Sequence, residues 1–283
     1  MLLTIIIFTI VLLLYFHLTN EFKKSEDLEI YEMDYKSNAH LQTICDLRQP
    51  VLFDYSKINP AIFETAPTDS RANVNVREVG DVDSITLPYS SAITLMKTDT
   101  KSRFFSEKNT EFTTNLVGVD NDLKPHMVAN SRQDLMFGSA GAVTPMRYHT
   151  EYRNFICVKS GKIQVKMTPW KSRKYLDPIS DYEHYEFRST IDVPDSAAKF
   201  LEFDVNQGYI LYVPPYWFYS IKYESDDTEL YDLHYNSVMN CVANLPKWCM
   251  YYMQQQNLKL KVLKTKVSFE ENVDKDKDKE TIM

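Results

Sequence analysis

The sequence predicts a mainly β domain with flanking helices, preceded by one apolar helix at the N-terminus. Nineteen tyrosines and fifteen phenylalanines favour strands, and short apolar runs between turn residues are typical of all-β proteins. The first sixteen residues, "MLLTIIIFTIVLLLYF", carry no charged side chain. The 283 residues then divide into an anchor (1–18), a polar connector (19–40), one domain (41–262) and a disordered charged tail (263–283).

Residues 1–18 are predicted to cross a membrane as a helix, although their number is at the short end for a span. A cleaved signal peptide is the alternative, but it would carry a basic start and a small-residue cleavage site. The residues that follow the apolar run, "HLTNEFKK", contain no such cleavage site. Lys23 and Lys24 follow the span directly, and the positive-inside rule then places the main domain on the cytosolic side. We expect a single-pass membrane protein.

Composition excludes several classes of function. The net charge is −7 without a basic stripe, so no nucleic-acid partner is predicted. The four cysteines form no C-x-x-C pair, which argues against a zinc site. The tail "FEENVDKDKDKETIM" alternates charges and is expected to be solvated. The expected partners are therefore the membrane and a protein that the sequence does not identify.

Several short runs in the first half of the domain are predicted to be strands, because turn residues separate them. They are "SITLPYSSAITLM" (84–96), "FTTNLVGV" (112–119) and "DLMFG" (134–138).

Two antiparallel hairpins are predicted in the second half of the domain. The first is Asn154–Met167, with Ser160-Gly161 at its turn, and apolar residues alternate with polar ones after that turn. The second is Lys199–Val213, which ends at two prolines. The strand that follows is expected to direct Trp217 and Tyr219 into the interior.

The order of these motifs resembles a known enzyme family. The chain reads "VTPMRYHTEYRNF" (143–155), "SGKIQV" (160–165) and "GYILYVPPYWFYSI" (208–221). This is similar to the JmjC/cupin-like branch of the Fe(II)/2-oxoglutarate oxygenases, with its pattern T-P-x-H-x-D, N-F, a G-K turn and G-D-x-x-x-x-P-x-x-W-W-H. The resemblance implies a double-stranded β-helix, a cupin or jelly-roll barrel, from about residue 48 to 240.

In that family two histidines and one carboxylate hold the iron. The matching motifs indicate which residues of this chain fall at these three positions. Counted from Pro145, the first histidine and the carboxylate fall on Arg147 and His149. Counted back from the N-F pair they fall on Tyr148 and Thr150, because this chain is one residue longer. The register of this part of the site stays open.

A bulge would absorb the extra residue and present His149 and Glu151 as the metal-ligand pair, although the residue type favours a solvated loop carboxylate at Glu151. The second family histidine is replaced by Tyr219. Thr144 matches a threonine that contacts the cosubstrate, whereas Ile163 stands where some members have a lysine for the distal carboxylate of 2-oxoglutarate.

Other interpretations of these residues are also open. Arg147 would repel a metal and instead bind a carboxylate or phosphate, or it is a surface arginine. His149 can be a rim histidine, and Tyr219 can pack beside Trp217 in the barrel mouth. His234, on the closing strand, would complete a ligand set if it faced inward.

The sequence therefore supports two hypotheses. The first is a membrane-anchored JmjC-like protein with an incomplete iron site, a pseudoenzyme that binds no cofactor and acts as a binding or structural module. The alternative is an Fe(II)/2-oxoglutarate-dependent hydroxylase with an unusual ligand set. The position of the third ligand discriminates between them.

Overall fold

A computed structural model describes residues 1–64, 72–110, 116, 118–191 and 196–280. Side chains are described as far as residue 260, with the exception of Glu64. Within these ranges the protein consists of seven α-helices, a short 3-10 helix and two β-sheets. The prediction of a mainly β domain with flanking helices is confirmed.

The N-terminal helix α1 spans Leu2–Glu21, three residues beyond the predicted anchor. The side chains of residues 1–17 are exposed, although almost all of them are apolar. Among the described residues α1 is the one helix long and apolar enough to cross a membrane, and a signal sequence would have the same length and composition.

The other helices flank the sheets. Ser37 caps the first of them, because its hydroxyl accepts a hydrogen bond from the amide of His40 at 3.3 Å. They are α2 (Asn38–Cys45), α3 (Ala61–Glu64), α4 (Tyr89–Thr98), α5 (Val119–Leu123), α6 (Arg173–Leu176) and α7 (Val238–Glu280). The backbone of α7 includes residues 263–280, for which the composition predicts a disordered tail. The last three residues lie outside the described ranges.

The strands of the described ranges form a larger sheet of nine and a smaller sheet of six. The larger sheet contains β1 (Tyr31–Glu32), β2 (Val51–Asp54), β3 (Asn73–Glu78), β4 (Ser84–Pro88), β5 (Phe104–Ser106), β6 (Val128–Gly138), β8 (Arg153–Ser160), β13 (Tyr209–Val213) and β15 (Glu229–Ser237). The smaller sheet contains β7 (Arg147–Tyr148), β9 (Lys162–Thr168), β10 (Pro178–Asp181), β11 (Glu186–Ser189), β12 (Leu201–Asn206) and β14 (Phe218–Tyr223).

The two sheets pack face to face. One buried apolar cluster takes Ile156 and Leu211 from the larger sheet and Val165 and Ile221 from the smaller sheet. Each of these side chains is 0% exposed. A second cluster lies between the outer face of the larger sheet and helices α2, α4 and α5. Both faces of the larger sheet are therefore covered with apolar contacts.

The two predicted turns carry the chain from one sheet to the other. β8 pairs with β13 in the larger sheet, and β9 pairs with β12 in the smaller sheet. The ladders meet at a corner, where the amide of Gln207 donates to Gly161 and that of Gly208 to Val158 at 3.1 and 3.0 Å. The four strands thus form one long antiparallel ribbon that folds over at its glycines.

The prediction of two separate hairpins is therefore wrong, whereas the strands within them are confirmed. The alternation of apolar residues specifies which face of a strand is buried, but not which strand lies beside it. Folding the ribbon buries the apolar faces of both halves against each other, which a flat hairpin does not do.

The earlier strand predictions have mixed outcomes. Residues 134–138 end β6 as expected, but residues 84–96 divide into β4 and the start of α4. The change occurs at Pro88, which has no amide hydrogen for the ladder. Within 112–119, residues 112–115 and 117 lie outside the described residues, and Val119 begins α5.

The corner of the ribbon requires a residue without a side chain at position 161, which a substitution can test. Its φ is +70°, and an added Cβ would lie 2.4 Å from Thr228 Oγ1 and 2.9 Å from Thr228 Cα. Gly161→Ala should destabilise the protein by about 2–4 kcal/mol, from left-handed strain and overpacking. Gly80→Ala is the matched control, because its φ is +90° with nothing within 4 Å, and it should cost about 1 kcal/mol. Thermal unfolding of both variants measures the difference, and equal losses would contradict the folded corner.

Candidate functional site

A cavity of about 80 Å³ opens at the end of the two sheets where β7, β11, β14 and β15 meet. It is highly polar for a buried space. Ten of its sixteen described lining residues are acidic, basic or histidine: Glu107, Lys108, Arg132, Asp134, Arg147, His149, Glu151, Glu186, Asp232 and His234. The cavity therefore contains the sequence-predicted residues 147, 149, 151, 219 and 234 together.

Arg147 belongs to a buried group of two arginines and two glutamates, here called the ionic quartet. Its Nη1 donates to Glu107 at 2.5 Å and lies 3.8 Å from Glu186. Arg77 donates to the same two carboxylates at 3.1 and 3.0 Å. Burial raises the pKa of Glu107. The charges of Arg147, Lys108 and Arg77 together outweigh this effect and hold the pKa below its usual value, so that the carboxyl stays ionised. The charge of Arg147 is thus neutralised within the protein.

His234 lies on β15 and its side chain faces the cavity. The sequence left this inward orientation open. The side chain is 5% exposed, and its Nε2 lies 2.9 Å from Asp232 Oδ2. Because residues two apart lie on one face of a strand, β15 directs both groups inward. Burial lowers the pKa of His234, but the charge and the hydrogen bond of Asp232, together with the charge of Glu151, raise it, and the result is above the usual value. The pKa of Asp232 is correspondingly lowered by His234, against its burial.

His149 and Glu151 form the second pair in the cavity. His149 Nε2 donates to the carbonyl of Val213 at 3.0 Å, and its Nδ1 lies 3.2 Å from Glu151 Oε2. Glu151 also accepts a hydrogen bond from the Thr150 amide at 3.1 Å. Burial raises the pKa of Glu151, but the hydrogen bond from His149 and the charge of His234 lower it well below the usual range. Glu151 is therefore an ionised carboxylate whose side chain is only 17% exposed, rather than a solvated loop residue.

The remaining predicted residues take different positions. Tyr219 is 4% exposed and lines the cavity, where its ring lies 6.2 Å from that of His149. Trp217 is fully buried outside the lining and donates to the carbonyl of Arg48 at 3.2 Å. The Thr144 hydroxyl accepts from the Ile221 amide at 2.9 Å. It is thus engaged in the sheet, and Thr144 is not among the lining residues.

The side chains in the cavity do not fit the iron that the family resemblance implies. Among the described residues no three His, Cys, Asp or Glu side chains form a group that could hold a metal ion. A nitrogen that donates to a carbonyl has no lone pair for a metal, which removes Nε2 of His149. Arg147, at the first ligand position of one register, has N–H donors and no acceptor, so it offers no lone pair to a metal.

Sequence reasoning missed six of the ten acidic, basic or histidine lining residues. The sequence could have identified Asp232 as a lining residue, because "YDLHYN" places an acid and a histidine two residues apart on one strand face. Glu107 and Glu186 had none, because the first follows β5 and the second begins β11, far from Arg147 in sequence. Glu186 approaches Arg147 through the pairing of β11 with β7, and Glu107 approaches it through the packing of the two sheets.

Comparisons with known proteins agree with the family resemblance. No protein-family model matches the chain. The chain is 28% identical over 112 residues to JmjC domain-containing protein D of Dictyostelium discoideum. The match covers 36% of this chain and 25% of that protein, so the chain spans about a quarter of its relative. A distant match of this extent supports a JmjC-type, cupin-like protein and is consistent with a jelly-roll fold.

The Asp232–His234 pair predicts a pH-dependent stability. Because the pKa of His234 is raised in the folded state, its contribution is fully present below the unfolded pKa and is lost as the pH rises through the folded value. His234→Gln should therefore cost about 3 kcal/mol at pH 6, since it leaves Asp232 buried without its partner, and less at pH 9. Thermal unfolding at both pH values measures the effect. His126→Gln, at an exposed histidine, is the control, and a cost of His234→Gln that is the same at both pH values would contradict the charged pair.

Proposed function

We propose that this chain is a membrane-anchored JmjC-like protein whose iron site is incomplete and whose domain is a non-catalytic binding or structural module. The observation that carries the proposal is the pairing of the side chains in the cavity. Arg147 is held by two glutamates, His149 by Val213 and Glu151, and His234 by Asp232. These contacts engage the guanidinium of Arg147 and the Nε2 atoms of both histidines, which an acidic cosubstrate and a metal would otherwise use.

The size of the cavity supports the same proposal. Its volume is about 80 Å³, whereas sites for small molecules typically measure roughly 300–1,000 Å³. A space of this size holds a few water molecules, at about 30 Å³ each. It is too small for 2-oxoglutarate and a substrate side chain together. Ile163, fully buried in the apolar cluster, also offers no charge to a distal carboxylate.

A second candidate function is an Fe(II)/2-oxoglutarate-dependent hydroxylase with an unusual ligand set. It is favoured by buried atoms of metal-binding side chains in the cavity: Nδ1 of His234 and Oδ1 of Asp232 have no hydrogen-bond partner among the described residues, and Nδ1 of His149 has only the Glu151 carboxylate, 3.2 Å away. A metal or ordered water would satisfy such atoms. Iron binding would require these side chains to converge further than they do in this structure.

Anaerobic titration with Fe(II) discriminates the two functions. The full chain in detergent should bind Fe(II) more weakly than micromolar and produce no succinate from 2-oxoglutarate, because its imidazoles donate to protein oxygens. His149→Ala serves as the matched variant and should give the same titration as the parent chain. Micromolar binding that His149→Ala abolishes would refute the incomplete site and establish the second candidate.

The membrane anchor is the other part of the proposal. It is supported by the exposed apolar surface of α1, which water would solvate unfavourably. Lys23 and Lys24 follow the helix and favour a cytosolic domain. Glu21, the last residue of α1, packs against the domain, where Asn240 donates to its carboxylate at 3.4 Å.

Carbonate extraction tests the anchor. The expressed protein should stay in the membrane pellet with residues 1–18 still attached, as N-terminal sequencing of the mature chain can show. Ile10→Arg with Leu13→Arg places two charges in the span, each costing about 2.5–3.5 kcal/mol at the centre of a membrane helix, and should move the protein to the supernatant. Release of the parent protein, or an N-terminus near Lys23, would refute the anchor.

A further inference from the structure

Three cations surround two aromatic rings where α1 meets the domain. Trp170 and Tyr216 lie with ring centroids 5.5 Å apart, and we name this pair the aromatic platform. Lys24 Nζ lies 4.0 Å from the Trp170 centroid and 4.4 Å from that of Tyr216. Arg173 Cζ lies 5.3 Å from the Trp170 centroid, and Lys247 Nζ lies 5.2 Å from that of Tyr216. Lys24, Arg173 and Lys247 are the basic cluster.

The basic cluster lacks a counter-ion. Among the described residues none of its members forms an ion pair with a carboxylate; Lys247 donates instead to the amide oxygen of Asn244 at 3.1 Å. The members disfavour each other's charge. Burial and the charge of Arg173 lower the pKa of Lys24, while burial and Lys24 lower that of Lys247 to about 8, against the opposing effect of Glu151. An anion at the platform would relieve this repulsion.

The position of the cluster is set by α1. Hydrogen bonds from the amides of Phe22 and Lys23 to Thr19 and Asn20 continue the last turn of the helix. From Leu18 the last turn of α1 carries the chain about 4.5 Å along the helix axis to Glu21, and Lys24 follows three residues later. The headgroup layer on each side of a bilayer is about 5–8 Å thick. If the apolar part of α1 lies in the hydrocarbon, the basic cluster lies at the level of the lipid phosphates.

The surroundings favour an anion as well. Lys171 and Lys174 are exposed on the same short segment as Arg173. Glu26 and Asp27 follow Lys24 in the chain and offset part of this charge, but both are exposed and are not paired with the cluster. The local charge is therefore positive in a protein with a net charge of −7.

We propose that the basic cluster and the aromatic platform form a binding site for the phosphate of an anionic lipid headgroup in the membrane that α1 spans. This inference rests on the anchor proposed above. Lys24, Arg173 and Lys247 donate to the phosphate oxygens in charge-assisted hydrogen bonds. The aromatic rings sit at the interface, as tryptophan and tyrosine do in membrane proteins. The acidic domain as a whole is repelled by anionic lipid, so the site also fixes which face lies on the bilayer.

Native mass spectrometry of the full chain in mixed micelles tests the proposal. Micelles containing phosphatidylserine should leave one lipid on the protein, whereas phosphatidylcholine should not. Each cation near the surface contributes roughly fivefold to the interaction with anionic lipid. Lys24→Gln with Arg173→Gln and Lys247→Gln should therefore reduce retention of phosphatidylserine by about a hundredfold.

The matched control is Lys57→Gln with Lys162→Gln and Lys166→Gln. It changes the net charge equally but replaces lysines that pair with Asp54, Asp204 and Glu202 at the surface. This control should retain the lipid as the parent chain does. Arg173→Gln alone, at an exposed residue, covers the case in which the triple variant fails to fold, and it should lose about fivefold.

Each outcome is decisive. Equal retention of phosphatidylserine and phosphatidylcholine, or loss of lipid in the control variant, would overturn the site. Displacement of the lipid by millimolar inorganic phosphate or glycerophosphoserine would assign the site to a soluble anion and overturn the lipid. Because micelles do not require a membrane span, lipid retention by a protein that carbonate releases would uphold the site while refuting the anchor. A protein that stays in the membrane without lipid preference would do the reverse.

Discussion

The ionic quartet of Arg77, Arg147, Glu107 and Glu186 is the interaction on which the candidate site depends. It joins β3 of the larger sheet to β7 and β11 of the smaller sheet through side chains that are at most 11% exposed. Burying four charges is costly, and only mutual pairing offsets the cost. Removing one member would leave an uncompensated buried charge. The quartet therefore constrains how the two sheets meet at the cavity end.

The quartet also determines what the cavity can bind. Arg147 pairs in register with Tyr219, so the residues at two family ligand positions lie on adjacent strands of the smaller sheet. A cation and a phenol occupy this wall, and the imidazoles opposite donate to protein oxygens. The charged side chains that line the cavity thus pair with one another.

The cavity and the aromatic platform share groups. The amide of Tyr216 donates to the carbonyl of His149 at 3.0 Å, and the charge of Glu151 raises the pKa of Lys247 against the effect of burial. Tyr216 has a φ of 66°, an unusual conformation for an aromatic residue, which the surrounding contacts maintain. The segment that carries the family resemblance in sequence therefore also contributes Tyr216 to the contact between the domain and Lys24, which follows α1.

The amino-acid sequence by itself determined the features that depend on local pattern. The uncharged N-terminal run specifies α1, and the alternation in β9 specifies a strand with one buried face. The motif order placed Arg147, His149 and Tyr219 in one site before any pairing was known.

Only the tertiary structure decided which strands lie together and which charges meet. The turns at Gly161 and Gly208 fit hairpins locally, yet burial of both apolar faces folds them into one ribbon across two sheets. Glu186 reaches Arg147 because β11 pairs with β7 within the smaller sheet, whereas Glu107 reaches it because the end of β5, in the larger sheet, packs against β7. Local periodicity specifies the face of a strand, whereas the partner of a buried charge follows from packing between distant segments.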